Sequence, residues 1–70
     1  MPNIRIILSK HANDRRILYG LSEQQIKNCI LRGSRLKQTD GFLASYTYLK
    51  VAYKKIGEDL YYVKTLYIKR

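Results

Sequence analysis

The chain has 70 residues, of which 14 are Lys or Arg and 5 are Asp or Glu, so its formal net charge is +9. This length fits a single domain over residues 1–70 with a thin core, and one cysteine with one histidine excludes both an internal disulfide and a Cys/His zinc site. The longest aliphatic run near the amino end, Ile6-Ile7-Leu8, is too short for a signal sequence or a membrane span, so we expect a cytoplasmic protein with no membrane partner.

The charge indicates the class of partner. A small domain with this excess of cations carries a positive potential over much of its surface, which favours encounter with phosphates. Nucleic acid, and RNA in particular, is therefore the expected partner. Two alternatives stay open: the charge serves solubility, or it meets an acidic protein.

The first two elements in chain order are a short strand and a helix. Ile4 to Leu8 is a β-branched run that predicts a strand or an extended arm. Ser9 is a suitable N-cap for a helix from Lys10 to Tyr19, and Gly20 follows where a left-handed residue ends many helices.

The second helix has the clearest local signature in the chain. Leu21, Ser22, Gln25 and Ile26 satisfy both a capping box and a hydrophobic staple. Apolar residues then recur at helical spacing until Gly33, which predicts a helical hairpin joined near Gly20.

Strand patterns fill the second half. Arg35–Lys37 is followed by a hairpin turn predicted at Asp40-Gly41 and by a long strand, Phe42–Tyr53, whose alternation changes near Tyr48. A turn at residues 56–59 precedes a last strand, Leu60–Ile68. Short turns between successive strands predict an α+β fold, with the helical hairpin packed on one face of a three- or four-stranded antiparallel sheet.

Tyrosine is unusually frequent, with seven tyrosines against one phenylalanine. Tyrosines that alternate with lysines on the solvent face of a sheet can stack on bases while the lysines bind phosphates. The alternative is that cross-strand tyrosine pairs simply stabilise a small sheet. The residues interleaved in this way are Tyr46, Tyr48, Lys50, Tyr53, Lys54, Tyr61, Tyr62, Lys64 and Tyr67.

One pair of side chains could carry chemistry. His11 lies in the first turn of the first helix, and Arg15 follows four residues later on the same helix face. Histidine can transfer a proton near neutral pH, and arginine can hold a phosphate or the charge that develops on it. Such a pair could support metal-independent cleavage of RNA, although the same spacing also occurs in helices where the histidine only packs against the sheet.

The motifs of the chain resemble a family of small uncharacterised prokaryotic domains. "SKHANDRRILYGLSEQQI", the helix end "ILRG" and the closing strand "YYVKTLYIKR" are similar to that family's His-Ala-x-x-Arg helix, its amphipathic second helix and its final Val-x-Thr-aliphatic-Tyr segment. Tyr19 stands where an arginine is usual, and Arg16 could supply that charge. The matching positions are His11, Ala12, Arg15, Gly20, Leu21, Ser22, Ile26, Val63, Thr65 and Tyr67.

The order of elements is also similar to the RelE and ParE toxins of the barnase-like ribonuclease superfold. That resemblance implies a RelE-like toxin, a metal-independent endoribonuclease without cofactor that acts on free or ribosome-bound RNA and is restrained by an antitoxin protein. It implies a catalytic set of His11, Arg15 and Tyr67. The alternatives are a non-catalytic nucleic-acid-binding module and a small protein-interaction domain with an acidic partner. The expected nucleic-acid-binding residues are Lys10, Arg16, Lys50, Lys54 and Lys64.

Overall fold

The computed structural model of the protein describes residues 4–69, which form two helices and five strands. One strand precedes the helices and four follow them. The elements are β1 (Arg5–Leu8), α1 (Lys10–Tyr19), α2 (Glu23–Arg32), β2 (Ser34–Gln38), β3 (Gly41–Tyr46), β4 (Leu49–Lys55) and β5 (Leu60–Ile68).

The sheet is mixed and five-stranded, so the predicted three- or four-stranded antiparallel sheet is wrong. Its strand order is β1-β5-β4-β3-β2. β1 runs parallel to β5, with Arg5 beside Leu60 and Leu8 beside Val63, whereas all the other neighbouring strands are antiparallel. The short segment that was expected to be a strand or an arm is thus a full member of the sheet. Its partner is distant in sequence, so local patterns could not reveal the pairing.

The region predicted as one strand, Phe42–Tyr53, is two strands joined by a tight turn. Tyr46 pairs with Leu49, which leaves Thr47 and Tyr48 as the two turn residues. Thr47 has a φ of 56°, a left-handed conformation that is uncommon for a β-branched residue. The turn lacks the glycine or asparagine that usually marks such a reversal, so its signal in the sequence is the change of alternation near Tyr48, which indicated a bulge or a break.

The sheet has a β-bulge on β5, away from Tyr48. Ala52 pairs with Thr65 and Tyr53 pairs with Val63, so Lys64 is an extra residue on β5. The β2–β3 turn is also displaced by one residue from the predicted Asp40-Gly41. Gln38 pairs with Gly41, which makes residues 39–40 the turn and Gly41 the first residue of β3.

The predicted boundaries of both helices are confirmed. Ser9 caps α1 by accepting a hydrogen bond from the Ala12 amide, and Gly20 ends that helix in the left-handed conformation. In α2 the capping box between Ser22 and Gln25 has both of its hydrogen bonds, and Gly33 follows the last turn.

The helices and one face of the sheet enclose a single core. Ala12 of α1 and Ile26, Cys29 and Ile30 of α2 belong to the same buried cluster as Val51 and the other inward residues of the sheet. Strand alternation directs the remaining side chains to the opposite face, which we call the open face. Its residues are Ile7, Ser34, Leu36, Leu43, Ser45, Lys50, Ala52, Lys54, Tyr62, Lys64, Thr65 and Tyr67.

Neither helix is a candidate to cross a lipid bilayer, because within residues 4–69 each is too short and too polar.

Candidate nucleic-acid interface

One end of the open face carries a row of polar and aromatic side chains. Lys50 of β4 lies between Tyr67 of β5 and Ser45 of β3. Its ammonium Nζ donates a hydrogen bond to Ser45 Oγ over 2.8 Å. A half-buried lysine held beside a tyrosine ring is suited to bind a phosphate while the ring stacks on a base.

A second cationic group lies on the same face, at the β2–β3 turn. Lys54 is paired with Tyr62 across the strands, and its Nζ is 3.4 Å from an Asp40 carboxylate oxygen. The Nζ of Lys64 is 3.8 Å from the other oxygen of that carboxylate and also donates to the Asp40 carbonyl. Two lysines therefore converge on one anionic group.

The bulge explains why Lys64 joins this group. Val63 and Leu66 are both fully buried in the core, so the two residues between them cannot both follow simple alternation. Lys64 has no partner on β4, and Thr65 pairs with Ala52 of the open face. Because of the bulge, the open face carries one more cation, Lys64, than a regular strand would place there.

The tyrosines are divided between the two faces of the sheet. Tyr62 and Tyr67 lie on the open face, whereas Tyr53 is only 1% exposed and its ring stacks on Phe42 and meets Tyr61 edge to face. Burial raises the pKa of Tyr53, and the nearby Arg35 partly offsets this effect. The expectation that Tyr53 belongs to a ligand-binding surface is therefore wrong, because its ring is part of the core.

His11 and Arg15 are in direct contact. The Arg15 Nε donates a hydrogen bond to His11 Nε2 over 2.9 Å, and Arg15 Nη1 donates to the Tyr19 hydroxyl over 3.4 Å. The imidazole is exposed to solvent. Tyr19, the departure from the resembling family, thus orients Arg15.

The two other cations on α1 that were predicted to bind nucleic acid, Lys10 and Arg16, differ in the hydrogen bonds that they make. Arg16 donates to Asn13 Oδ1 and to the Leu21 carbonyl, so its guanidinium holds α1 to the connection with α2. Lys10 is exposed at the start of the helix. Lys10 is accessible to a phosphate, whereas Arg16 already has structural partners.

The structure joins two members of the predicted catalytic set and separates the third. Tyr67 lies across from Lys50 on the open face, and within residues 4–69 no hydrogen bond links it to His11 or Arg15. The start of α1 is nevertheless attached to β5. The Ser9 amide donates to the Val63 carbonyl over 3.0 Å, and Ser9 Oγ donates to the Lys64 carbonyl over 2.7 Å.

Asp40 is the residue of this surface that sequence reasoning missed. Its position between Lys54 and Lys64 depends on strand pairing and on the bulge, neither of which has a local signal. Among the described residues, no three His, Cys, Asp or Glu side chains lie close enough together to hold a metal ion.

Comparisons with protein-family models, curated proteins and solved structures give no match for this chain.

Proposed function

We propose that the domain binds single-stranded RNA on the open face of its sheet. The observation that carries this proposal is the placement of Lys50, Lys54 and Lys64 on the same uncovered face as Tyr62 and Tyr67. Lysines supply affinity for the phosphate backbone, and a tyrosine ring that stacks on a base contributes about 1–3 kcal/mol. Single strands expose both groups at once, which a duplex does not.

Asp40 supports the view that this face is an anion site. A carboxylate bridged by two lysines occupies a position that a phosphate oxygen could take. The pairs are exposed, so they contribute little to stability and can exchange with another anion. We infer that RNA displaces Asp40 when a phosphate binds Lys54 and Lys64.

The test compares two triple variants of equal charge. Lys50, Lys54 and Lys64 are changed to Gln in one, and Lys27, Lys37 and Lys55, which lie off the open face, are changed in the other. Binding of a labelled single-stranded RNA is followed by fluorescence anisotropy over a range of salt concentrations. We expect the first variant to lower the slope of log K against log salt by roughly 2, since each phosphate contact on a single strand contributes about 0.7. Equal losses in the two variants would show that only net charge matters.

A second candidate function is RNA cleavage by a RelE-like, metal-independent endoribonuclease. It is favoured by the hydrogen bond between Arg15 and the exposed His11. In such a reaction the imidazole takes the proton of the 2′-hydroxyl, the 2′-oxygen attacks the phosphorus, and the arginine stabilises the charge on the phosphorane. The P–O5′ bond then breaks and the leaving 5′-oxygen takes a proton from water, which gives a 2′,3′-cyclic phosphate and a 5′-hydroxyl.

The ground-state contact sets an order of events for that reaction. His11 Nε2 cannot accept a proton while it accepts the Arg15 bond. A phosphate that draws Arg15 away would free Nε2 at the moment when substrate arrives.

The toxin proposal also implies partners. RNA, free or on the ribosome, is the substrate, and an antitoxin protein covers the cationic surface. A third possibility is that the positive charge binds only an acidic protein. The RNA-binding assay distinguishes this possibility from the two RNA-directed functions. An acidic protein partner without RNA affinity would leave the open-face lysines without effect on RNA.

A further inference from the structure

A groove between α2 and the β3–β4 turn has a chemistry distinct from the open face. Gln25 and Asn28 form its helical side, and Tyr46, Thr47 and Tyr48 form the side of the turn, with Leu49 at its base. Its cavity volume is about 100 Å³, well below the roughly 300–1,000 Å³ of drug-sized sites, so this open groove has room for a single planar ring. We propose that this groove binds one uracil base and so gives the RNA binding proposed above a base preference.

The amides of the groove offer donors. Gln25 Oε1 accepts from the Ser22 amide over 2.8 Å, and Asn28 Oδ1 accepts from Gln24 Nε2 over 3.0 Å. Each of these oxygens retains a second lone pair, and the N–H groups of the two amides are also open to a ligand. No hydrogen bond within residues 4–69 uses either amide nitrogen of Gln25 or Asn28 as donor.

Thr47 offers the complementary acceptor. Its hydroxyl donates to the Tyr46 carbonyl over 2.6 Å, so the oxygen retains lone pairs for an incoming N–H. The groove therefore presents two amide donors and one hydroxyl acceptor. Uracil is the RNA base whose Watson–Crick edge has two carbonyl acceptors around a single N–H donor. Cytosine, which has the same ring size, has an amino donor in place of the O4 acceptor and an N3 acceptor in place of the N–H donor.

Two tyrosines supply the stacking surface. Tyr46 is 37% exposed and Tyr48 is 55% exposed, which is unusual for large aromatic side chains in so small a domain. The positive φ of Thr47 holds the turn between them in a conformation that this residue rarely adopts. Backbone strain of this kind persists where the surrounding structure imposes it, often at ligand sites.

The groove lies at the same end of the sheet as Lys50, which is on the open face, and the β3–β4 turn lies between the two. Lys50 follows Tyr48 by two residues, and the Lys69 amide donates to the Tyr48 carbonyl over 2.8 Å. Phosphates on either side of a base in the groove would therefore lie close to these cations. A strand that follows the open face can place one base around the turn.

The experiment measures base preference rather than affinity alone. The oligonucleotides rU8 and rC8 are compared by fluorescence anisotropy with wild type, Asn28→Asp and the control Gln38→Glu, which adds the same charge on β2 outside the groove. Wild type is expected to bind rU8 roughly three- to tenfold more tightly than rC8, the effect of about one hydrogen bond. Asn28→Asp exchanges a donor for an acceptor, so it should move the preference towards rC8. Gln38→Glu should weaken both oligonucleotides and leave their ratio unchanged.

A second variant and a second readout exclude unfolding as an explanation. Thr47→Gly removes the hydroxyl and at the same time relieves the positive φ, so the fold should be retained while the preference for rU8 falls below roughly twofold. In NMR spectra, uridine 5′-monophosphate should shift the side-chain amide signals of Gln25 and Asn28 more than cytidine 5′-monophosphate does. Equal binding of rU8 and rC8 by wild type overturns the groove proposal alone. Absence of binding to either at low salt overturns the proposed RNA binding as well.

Discussion

The two helices have the same length and are adjacent in sequence, yet they are held in the fold in different ways. In α2, Ile26, Cys29 and Ile30 are buried under the sheet. In α1 only Ala12 is buried, whereas Ile17 and Leu18 are 63% and 76% exposed. α2 buries three apolar side chains against β3 and β4, whereas α1 packs on β5 and β1 through the small side chain of Ala12.

The difference distinguishes a helix that belongs to the core, α2, from a helix whose outer surface is exposed, α1. The ends of α1 are fixed by Ser9, which bonds to β5, and by Arg16, which bonds to the Leu21 carbonyl. Its outer surface, with His11 and Arg15, is therefore rigidly placed without being covered. The same helix also carries the exposed apolar side chains of Ile17 and Leu18.

The largest expected effect concerns the exposed face of α1. His11→Ala should lower RNA cleavage by roughly 10²–10⁴-fold, the contribution of a general acid or base, with little change in thermal stability because the imidazole is exposed. Arg15→Lys should also lose activity, since an ammonium cannot reproduce the planar guanidinium. Cleavage of labelled RNA with and without ribosomes, with EDTA as a control that should have no effect, measures both. A domain that melts on His11→Ala, with no cleavage by wild type, would make His11 a packing residue.

The next largest effect should be on the free energy of unfolding, where substitutions of apolar residues distinguish the two helices. Ile26→Ala removes a fully buried side chain and should lower the free energy of unfolding by about 2–5 kcal/mol. Leu18→Ala, at an exposed position, should change it by less than about 0.5 kcal/mol. Urea denaturation followed by circular dichroism measures both values. Similar losses would mean that α1 is also a core helix.

Because of Cys29 in α2, the free energy of unfolding should decrease at alkaline pH. Burial raises the pKa of its thiol to about 11 from an ordinary value of 9.0, an effect only partly opposed by a hydrogen bond from the Tyr46 backbone and by the charge of Lys50. The folded state thus holds the thiol proton more tightly than the unfolded state does. The resulting stability is complete below pH 9.0 and is lost as pH rises towards about 11.

The loss should approach about 2–3 kcal/mol, because each pKa unit corresponds to about 1.4 kcal/mol. Denaturation of wild type and Cys29→Ala across this pH range measures it, since the tyrosines titrate in both proteins and cancel in the comparison. Parallel stability curves for the two proteins would contradict the assignment.

Replacement of the two N-cap serines should have the smallest effects on the free energy of unfolding. Ser22→Ala removes the capping box of α2 and should cost about 1 kcal/mol without changing RNA binding or cleavage. Ser9→Ala should cost more, up to about 2 kcal/mol, because the same hydroxyl also donates to the Lys64 carbonyl. Thermal melts and binding assays on both variants test this order. A loss of activity in Ser22→Ala at unchanged stability would show that α2 takes part in the site.

Local features of the fold could be predicted from the sequence, and distant pairings could not. The caps at Ser9 and Ser22 depend on residues within one helical turn, so the pattern contained them. The parallel pairing of β1 with β5 depends on two segments at opposite ends of the chain, and the turn at Thr47 lacks the usual residue types.

The same division applies to the site. The contact between His11 and Arg15 follows from helical spacing, and it was predicted. The grouping of Lys54 with Lys64 around Asp40 requires the register of β4 and β5 and a bulge. A pattern of alternating tyrosines and lysines cannot say which of them face the helices, and Tyr53 illustrates this limit.

The contact between Ser9 and the Lys64 backbone joins positions 55 residues apart, and it has a consequence for synthesis. β5 is synthesised after the other four strands, yet it lies between β1 and β4 and provides two backbone acceptors for the start of α1. A nascent chain that lacks β5 has neither the strand that joins β1 to β4 nor the anchor of α1, and it also lacks Lys64 and Tyr67. Formation of such distant contacts is slow compared with helix formation. The open face is therefore incomplete on a growing chain until β5 has been synthesised.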